Sequence, residues 1–181
     1  MLVTGATGGQ GGRAAIQTLK LGIGVRALVR NPDSEAARSL AAAGAELVKG
    51  DFADPASLAA AMKGVRAVFS MQQDGAPASE FRALVDAAVA ARVEPFVHST
   101  VSGVREQETL LDRYEGDLKQ DYWRSKVGQE RVVRAAPFQS RAYLRPALIV
   151  DNLVLRAQCA TAAPPASTPR ALVVAMRRLL G

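Results

Sequence analysis

Tyr122 and Lys126 stand four residues apart in the run Tyr-Trp-Arg-Ser-Lys. That spacing brings both side chains onto one face of a helix. A phenol with its ordinary pKa of about 10 moves protons poorly at neutral pH. A neighbouring ammonium stabilises the phenolate, which lets the Tyr pass a proton to a carbonyl oxygen while hydride arrives from a cofactor. The same Lys can hold ribose hydroxyls. Tyr-x-x-x-Lys also arises by chance, so its meaning depends on what precedes it.

What precedes it is Gly5-x-x-Gly8-x-x-Gly11, directly after the apolar run Leu2–Gly5 and at the opening of a helical stretch, Gly11–Leu21. Glycines serve three purposes in such a turn. One permits the tight bend, one lets a pyrophosphate approach the backbone, and one lets helix and strand pack closely. The helix N-terminus then offers free N–H groups and the positive end of its dipole to phosphates. Thr7, Gly9 and Gln10 lie inside the same turn and are expected to contact the cofactor with it. The alternative is a glycine-rich hairpin, but strand, turn, helix and next strand follow in the order a dinucleotide-binding unit requires.

The end of the second strand selects the dinucleotide. An acidic residue there holds a ribose 2′-hydroxyl and favours NAD(H). This chain has Arg30-Asn31. A guanidinium suits a 2′-phosphate through bidentate contacts, so NADP(H) is preferred and NAD(H) is the second choice. The alternative is a solvated surface Arg. After the third strand, Asp51-Phe52 faces the expected adenine position, where Asp51 either accepts from the amino group or caps the turn. Ser70, Met71 and Gln72 end the fourth strand. Ligands bind outside the carboxyl ends of strands in these sheets, which puts all three along the ribose and pyrophosphate. Ser99, Thr100 and Ser102 end the fifth strand. Ser99 or Thr100 is the candidate to polarise a substrate carbonyl, against the alternative of hydroxyls satisfying nearby backbone. His98, the sole His, reads as a packed core residue more than a base, and Phe96 and Trp123 as core or cleft wall. Pro146, closing the sixth strand, completes the cofactor set. No cluster resembles a metal site.

These residues need a frame. Strand-like runs at Leu2–Gly5, Gly24–Arg30, Glu46–Gly50, Ala67–Ser70, Pro95–Thr100 and Arg141–Pro146 alternate with helical runs at Gly11–Leu21, Glu35–Ala43, Pro55–Met62, Pro77–Arg92 and Tyr122–Ala135. The alternation predicts an α/β fold: a doubly wound parallel sheet of about six strands with helices on both faces. Arg105–Asp121 is polar and weakly patterned, and is expected to be a loop with a single helical turn.

At 181 residues the chain suits one cored domain. Its one Cys excludes an internal disulfide framework. No apolar stretch is long enough to span a membrane, and the N-terminus lacks a signal-peptide pattern, so cytoplasm is the expected compartment. The net charge of +6 invites a nucleic-acid partner. Half of it sits in residues 151–181, with four Arg against one Asp, and no basic helix face is evident. Nucleic acid is therefore discounted.

Taken together, LVTGATGGQGG, VRALVRNP, GDFADPASLAAAMKGVRAVF, FVHSTVSG, YWRSKVGQERVV and YLRPALIVDNL resemble the NmrA-like proteins, atypical members of the short-chain dehydrogenase/reductase superfamily. The resemblance covers roughly residues 1–155, which are expected to form the NAD(P)-binding Rossmann domain. It implies cofactor at Gly5, Gly8 and Gly11, Arg30 at the 2′-phosphate and Lys126 at the ribose. It also implies one of two functions. The first is NADPH-dependent reduction of a small carbonyl or quinone; the second is redox sensing, in which NADP(H) and a protein partner are bound without turnover. Many members lack the superfamily Tyr, so Tyr122 favours an enzyme. Members usually run on past the Arg-Pro…Asn-Leu segment (here Arg145-Pro146 and Asn152-Leu153) to build a substrate pocket. Residues 156–181 are instead an Ala/Pro-rich tail, from which we expect a shortened chain and a third outcome, a fragment retaining only cofactor binding.

Overall fold

The structure, a computed structural model, describes residues 1–72, 78–111 and 120–147. The tail expected at 156–181 lies outside the described residues. Six strands form one sheet: β1 (Leu2–Val3), β2 (Arg26–Val29), β3 (Glu46–Lys49), β4 (Val68–Ser70), β5 (Phe96–Ser99) and β6 (Arg141–Leu144). Their order is β3-β2-β1-β4-β5-β6, and every pairing is parallel. The chain builds outward from β1 to β3, returns across the sheet, and builds outward again from β4. The reversal between β1 and β4 opens a crevice at their carboxyl ends, where ligands bind in such sheets.

The helices are α1 (Gly9–Lys20), α2 (Glu35–Ala42), α3 (Pro55–Met62), α4 (Ala78–Ala90), α5 (Val104–Leu111) and α6 (Gln120–Ala135). Strand residues alternate between two cores, as a pleated sheet covered on both faces requires. On one face Val3, Val29 and Phe69 meet Ala14, Ala15, Ala37 and Leu40 of α1 and α2. On the other, Leu2, Val68 and Phe96 meet Leu58, Phe81, Leu84 and Val133 of α3, α4 and α6. The doubly wound α/β architecture expected from the alternation is therefore present. Local signals hold as well. Ser34 caps α2 by accepting from Ala37 N, and Asp54 caps α3 by accepting from Ala56 and Ser57 N ahead of Pro55.

The segment expected as a loop after Arg105 contains α5, two full turns. Its first residue, Val104, is fully buried. Glu108 accepts from Arg131 Nε at 2.8 Å and pairs with Arg134, both on α6. Tertiary contacts stabilise a helix whose local apolar pattern is weak.

Candidate functional site

The glycine turn is built by close approaches. Gly5 takes φ +61°, a left-handed conformation that suits glycine, and a side chain there would press on Met71 at the end of β4. Gly8 N donates to Gly5 O at 3.0 Å. A Cβ on Gly11 would overlap the Gly5 carbonyl, so Gly11 is the glycine that lets α1 lie against β1. Gly9 faces open space. Gly8 caps α1 with no side-chain bond, and the first turn carries no acidic residue. Among the described residues no side-chain cap and no first-turn carboxylate competes with an anion for the opening N–H groups of α1. Beneath them, the Thr4 hydroxyl donates to Met71 O at 2.8 Å and accepts from Met71 N at 2.9 Å. This stitches β1 to β4 at the reversal.

A cleft of about 380 Å³ runs from this turn across the end of β2. Of the residues expected to bind cofactor, Gly5, Thr7, Gly8, Arg30, Asp51, Phe52, Met71 and Gln72 line it. Arg30 is exposed, and its guanidinium enters no ion pair or hydrogen bond among the described residues. Asp51 does cap its turn, with Oδ1 accepting from Ala53 N at 3.0 Å. Leu28, Val29, Gly50 and Glu80 also line the cleft and were missed. Gly50 ends the third strand run, and a side chain there would collide with Leu28 and press on Ser57. Glu80 comes from α4, and only the tertiary fold brings it to the cleft.

Three of the expected site residues have other partners. Ser70 is fully buried, and its Oγ lies 2.8 Å from His98 Nδ1; the hydroxyl belongs to the core rather than to the cleft. Ser99 donates to Gln10 Oε1 at 3.0 Å, tying β5 to the first turn of α1. That bond uses the Ser99 hydroxyl proton, which is then not available to a carbonyl oxygen. Thr100 is 6% exposed, and its Oγ1 lacks a partner among the described residues. Pro146 accepts from Ser102 N at 3.1 Å, which engages its carbonyl with the loop after β5 rather than the cleft lining. His98 is core, as expected. Burial above all, with the Lys126 charge nearby, pushes its pKa from 6.5 down to about 3.

Lys126 is buried and lies over the Tyr122 ring, its Nζ 5.7 Å from the ring centre. The same Nζ donates to Gln72 O at 3.4 Å, across to the end of β4. Two ionic anchors fix the rotation of α6 that makes this possible. Glu130, wholly buried, accepts both Arg145 nitrogens at 2.8 and 2.6 Å, and Glu108 holds the outer face. The structure therefore gathers two groups of residues. One lines the cleft from Arg30 to Gln72, and the other stands on α6 beside Gln72.

A model of the NmrA-like family matches residues 1–161. An NmrA-like family domain-containing oxidoreductase of Aspergillus hancockii is 34% identical over 165 residues, which is 85% of this chain and 48% of that protein. The chain spans about half or less of the length of such curated relatives. Among solved structures, the triphenylmethane reductase of Citrobacter sp. in complex with NADP(H) is 27% identical with a TM-score of 0.67, covering 88% of this chain and 54% of that one. The anaerobillin reductase of Escherichia coli O157:H7 is 26% identical with a TM-score of 0.67, covering 80% and 71%.

Proposed function

The chain belongs to the NmrA-like family, and from that premise we propose that it binds NADP(H) in the cleft and uses it to reduce a small carbonyl or quinone. The observation that carries this reading is the pairing of an uncapped, acid-free α1 N-terminus with the uncommitted Arg30 guanidinium in one cleft. A pyrophosphate and a 2′-phosphate are the two anions such an arrangement fits. The cradle has the right shape as well, since a side chain at Gly5 would crowd its floor. The NADP(H) complex of the Citrobacter reductase supports the same cofactor. The oxidoreductase name of the Aspergillus relative and the reductase name of the Escherichia coli protein support the reaction class.

In this reading NADPH, when bound, supplies a hydride. The chain does the rest. N–H groups at the start of α1 hold the pyrophosphate, with Gly8 leaving it room. Arg30 takes the 2′-phosphate, and Asp51 and Phe52 border the adenine. Lys126 holds a ribose hydroxyl, and its charge stabilises the phenolate left when Tyr122 gives its proton to the substrate oxygen. Thr100, whose hydroxyl has no partner among the described residues, offers it to that same oxygen. Titration with NADPH, followed by single-turnover oxidation in the presence of a panel of aldehydes and quinones, tests the proposal. Binding without oxidation by any of them would favour the sensor instead.

A further inference from the structure

The floor of the cleft carries a sulfur. Met71 follows β4, is half-buried, and lines the cleft. On one side its chain packs against the core between the sheet and helices α1 and α2. On the other it lies against the glycine turn, where a Cβ on Gly5 would stand 3.1 Å from Met71 Sδ. The thioether is thus part of the floor beside the turn that offers N–H groups to an anion. Met62, by contrast, is 1% exposed in the core on the opposite face. Among the described residues, Met71 is the one methionine that lines the cleft.

The main chain at Met71 has little slack. The Thr4 hydroxyl bonds both its N and its O. Just before it, Ser70 Oγ meets His98 Nδ1 at 2.8 Å. Just after it, Gln72 is held twice from α6: its Oε1 accepts from Gln129 Nε2 at 3.2 Å, and its carbonyl accepts from Lys126 Nζ at 3.4 Å. A change in the Met71 side chain must therefore be absorbed in the cleft, because the strand end cannot withdraw.

A thioether is apolar and deformable, whereas a sulfoxide is polar and chiral. Oxygen transfer from hydrogen peroxide forms one S–O bond at Sδ, breaks the O–O bond and releases water. The sulfur gives up two electrons and the peroxide takes them. The new oxygen avoids the apolar core, where a polar atom without a partner is costly. It is left facing the cleft, with partial negative charge beside the place where an anion would bind and with bulk where the turn leaves little room. We propose that Met71 is a peroxide-oxidation site coupled to occupancy of the cleft: its sulfoxide weakens dinucleotide binding, and bound dinucleotide shields the thioether. This rests on the dinucleotide reading above. Chains short of cofactor are then the ones that peroxide inactivates, and reduction of the sulfoxide restores them.

The probes are hydrogen peroxide and NADP⁺, which peroxide leaves unchanged. The four methionines fall in four different tryptic peptides, so mass spectrometry follows each sulfoxide separately. Met71 is expected to oxidise faster than Met62. NADP⁺ at about ten times its dissociation constant leaves about one cleft in eleven open and should slow the Met71 reaction about tenfold, while Met1, at the amino end of β1, keeps its rate. Calorimetry on the oxidised chain should show NADP⁺ bound about tenfold more weakly, the scale of one unfavourable polar contact. Methionine sulfoxide reductase with dithiothreitol should restore the affinity. Dithiothreitol alone, which reduces an oxidised Cys159 but no sulfoxide, should not. Met71→Leu, compared with itself before and after peroxide, should keep whatever affinity it has. An affinity unchanged once Met71 is sulfoxide, a Met71 reaction that NADP⁺ does not slow, or a Met71→Leu chain that peroxide weakens as it does the parent would each overturn the proposal and leave the dinucleotide reading standing. If the untreated chain binds no NADP⁺, both fail.

Discussion

The Lys126 ammonium stands 5.7 Å from the centre of the Tyr122 ring, one helical turn along the same face of α6. The relationship follows from the four-residue spacing and from the way α6 is locked to the sheet. It puts a positive charge against the phenol that the proposed reaction needs as an acid. Tyr122→Phe is therefore expected to lower carbonyl reduction by about two to four decades with little change in NADPH affinity. Lys126→Ala should weaken both. Steady-state turnover and cofactor titration on the two variants provide the check. A rate that survives Tyr122→Phe intact would leave direct hydride transfer to a quinone as the better account.

The glycines of the turn are expected to fail in different ways. A methyl group at Gly11 overlaps the Gly5 carbonyl inside the α1–β1 contact, so Gly11→Ala should lower the melting temperature markedly. Gly8 has an extended backbone that any residue adopts, and its nearest neighbour to an added Cβ is Gly5 O at 3.3 Å. Gly8→Val should therefore remain folded and lose NADPH binding. Thermal melts paired with cofactor titration distinguish the two outcomes.

Much of this was legible in the sequence because the signals are local. Alternating runs give the sheet, glycine spacing gives the turn, and Ser34 and Asp54 announce their helices. The failures share one cause, which is that tertiary partners decide. Helix α5 rests on the fully buried Val104 and on Glu108, whose partners Arg131 and Arg134 on α6 lie more than twenty residues away. Ser70 and Ser99 looked like cleft hydroxyls because strand ends face the cleft, yet His98 and Gln10 had already engaged them. Glu80 reaches the cleft from α4, and the Gln72–Gln129 pair joins two elements with no shared sequence pattern.

Glu130 and Arg145 form a two-point ion pair with Glu130 wholly buried. Removing one partner strands the other charge. Arg145→Met, which takes the two-point partner from the wholly buried Glu130 carboxylate, should thus cost about 3–5 kcal/mol in urea unfolding, whereas the double change Glu130→Leu with Arg145→Met should recover much of it. A double variant as unstable as the single one would mean that the pair contributes more than charge neutralisation.

His98 sets an acid limit on stability. Its folded-state pKa of about 3 lies below the unfolded value of 6.5. As pH falls through 6.5 the unfolded chain takes up a proton that the folded chain refuses, so stability declines by roughly 1.4 kcal/mol per pH unit. The decline ends near pH 3, and its full extent is on the order of 5 kcal/mol. Because His98 is the only His, the slope between pH 6.5 and 5 belongs largely to it. Urea unfolding across that window should show the slope in the parent chain, and a flat line in His98→Gln.

In the proposed function the cleft takes a dinucleotide bearing a 2′-phosphate, read by Arg30. Parallel fluorescence titrations of the intact chain and Arg30→Ala with NADPH and NADH test it most directly. The intact chain is expected to bind NADPH about one to two decades more tightly than NADH, the worth of a charge-assisted contact, and Arg30→Ala to remove most of that difference while leaving NADH affinity nearly unchanged. Equal affinities for the two cofactors in the intact chain, or a preference that persists without Arg30, would contradict it.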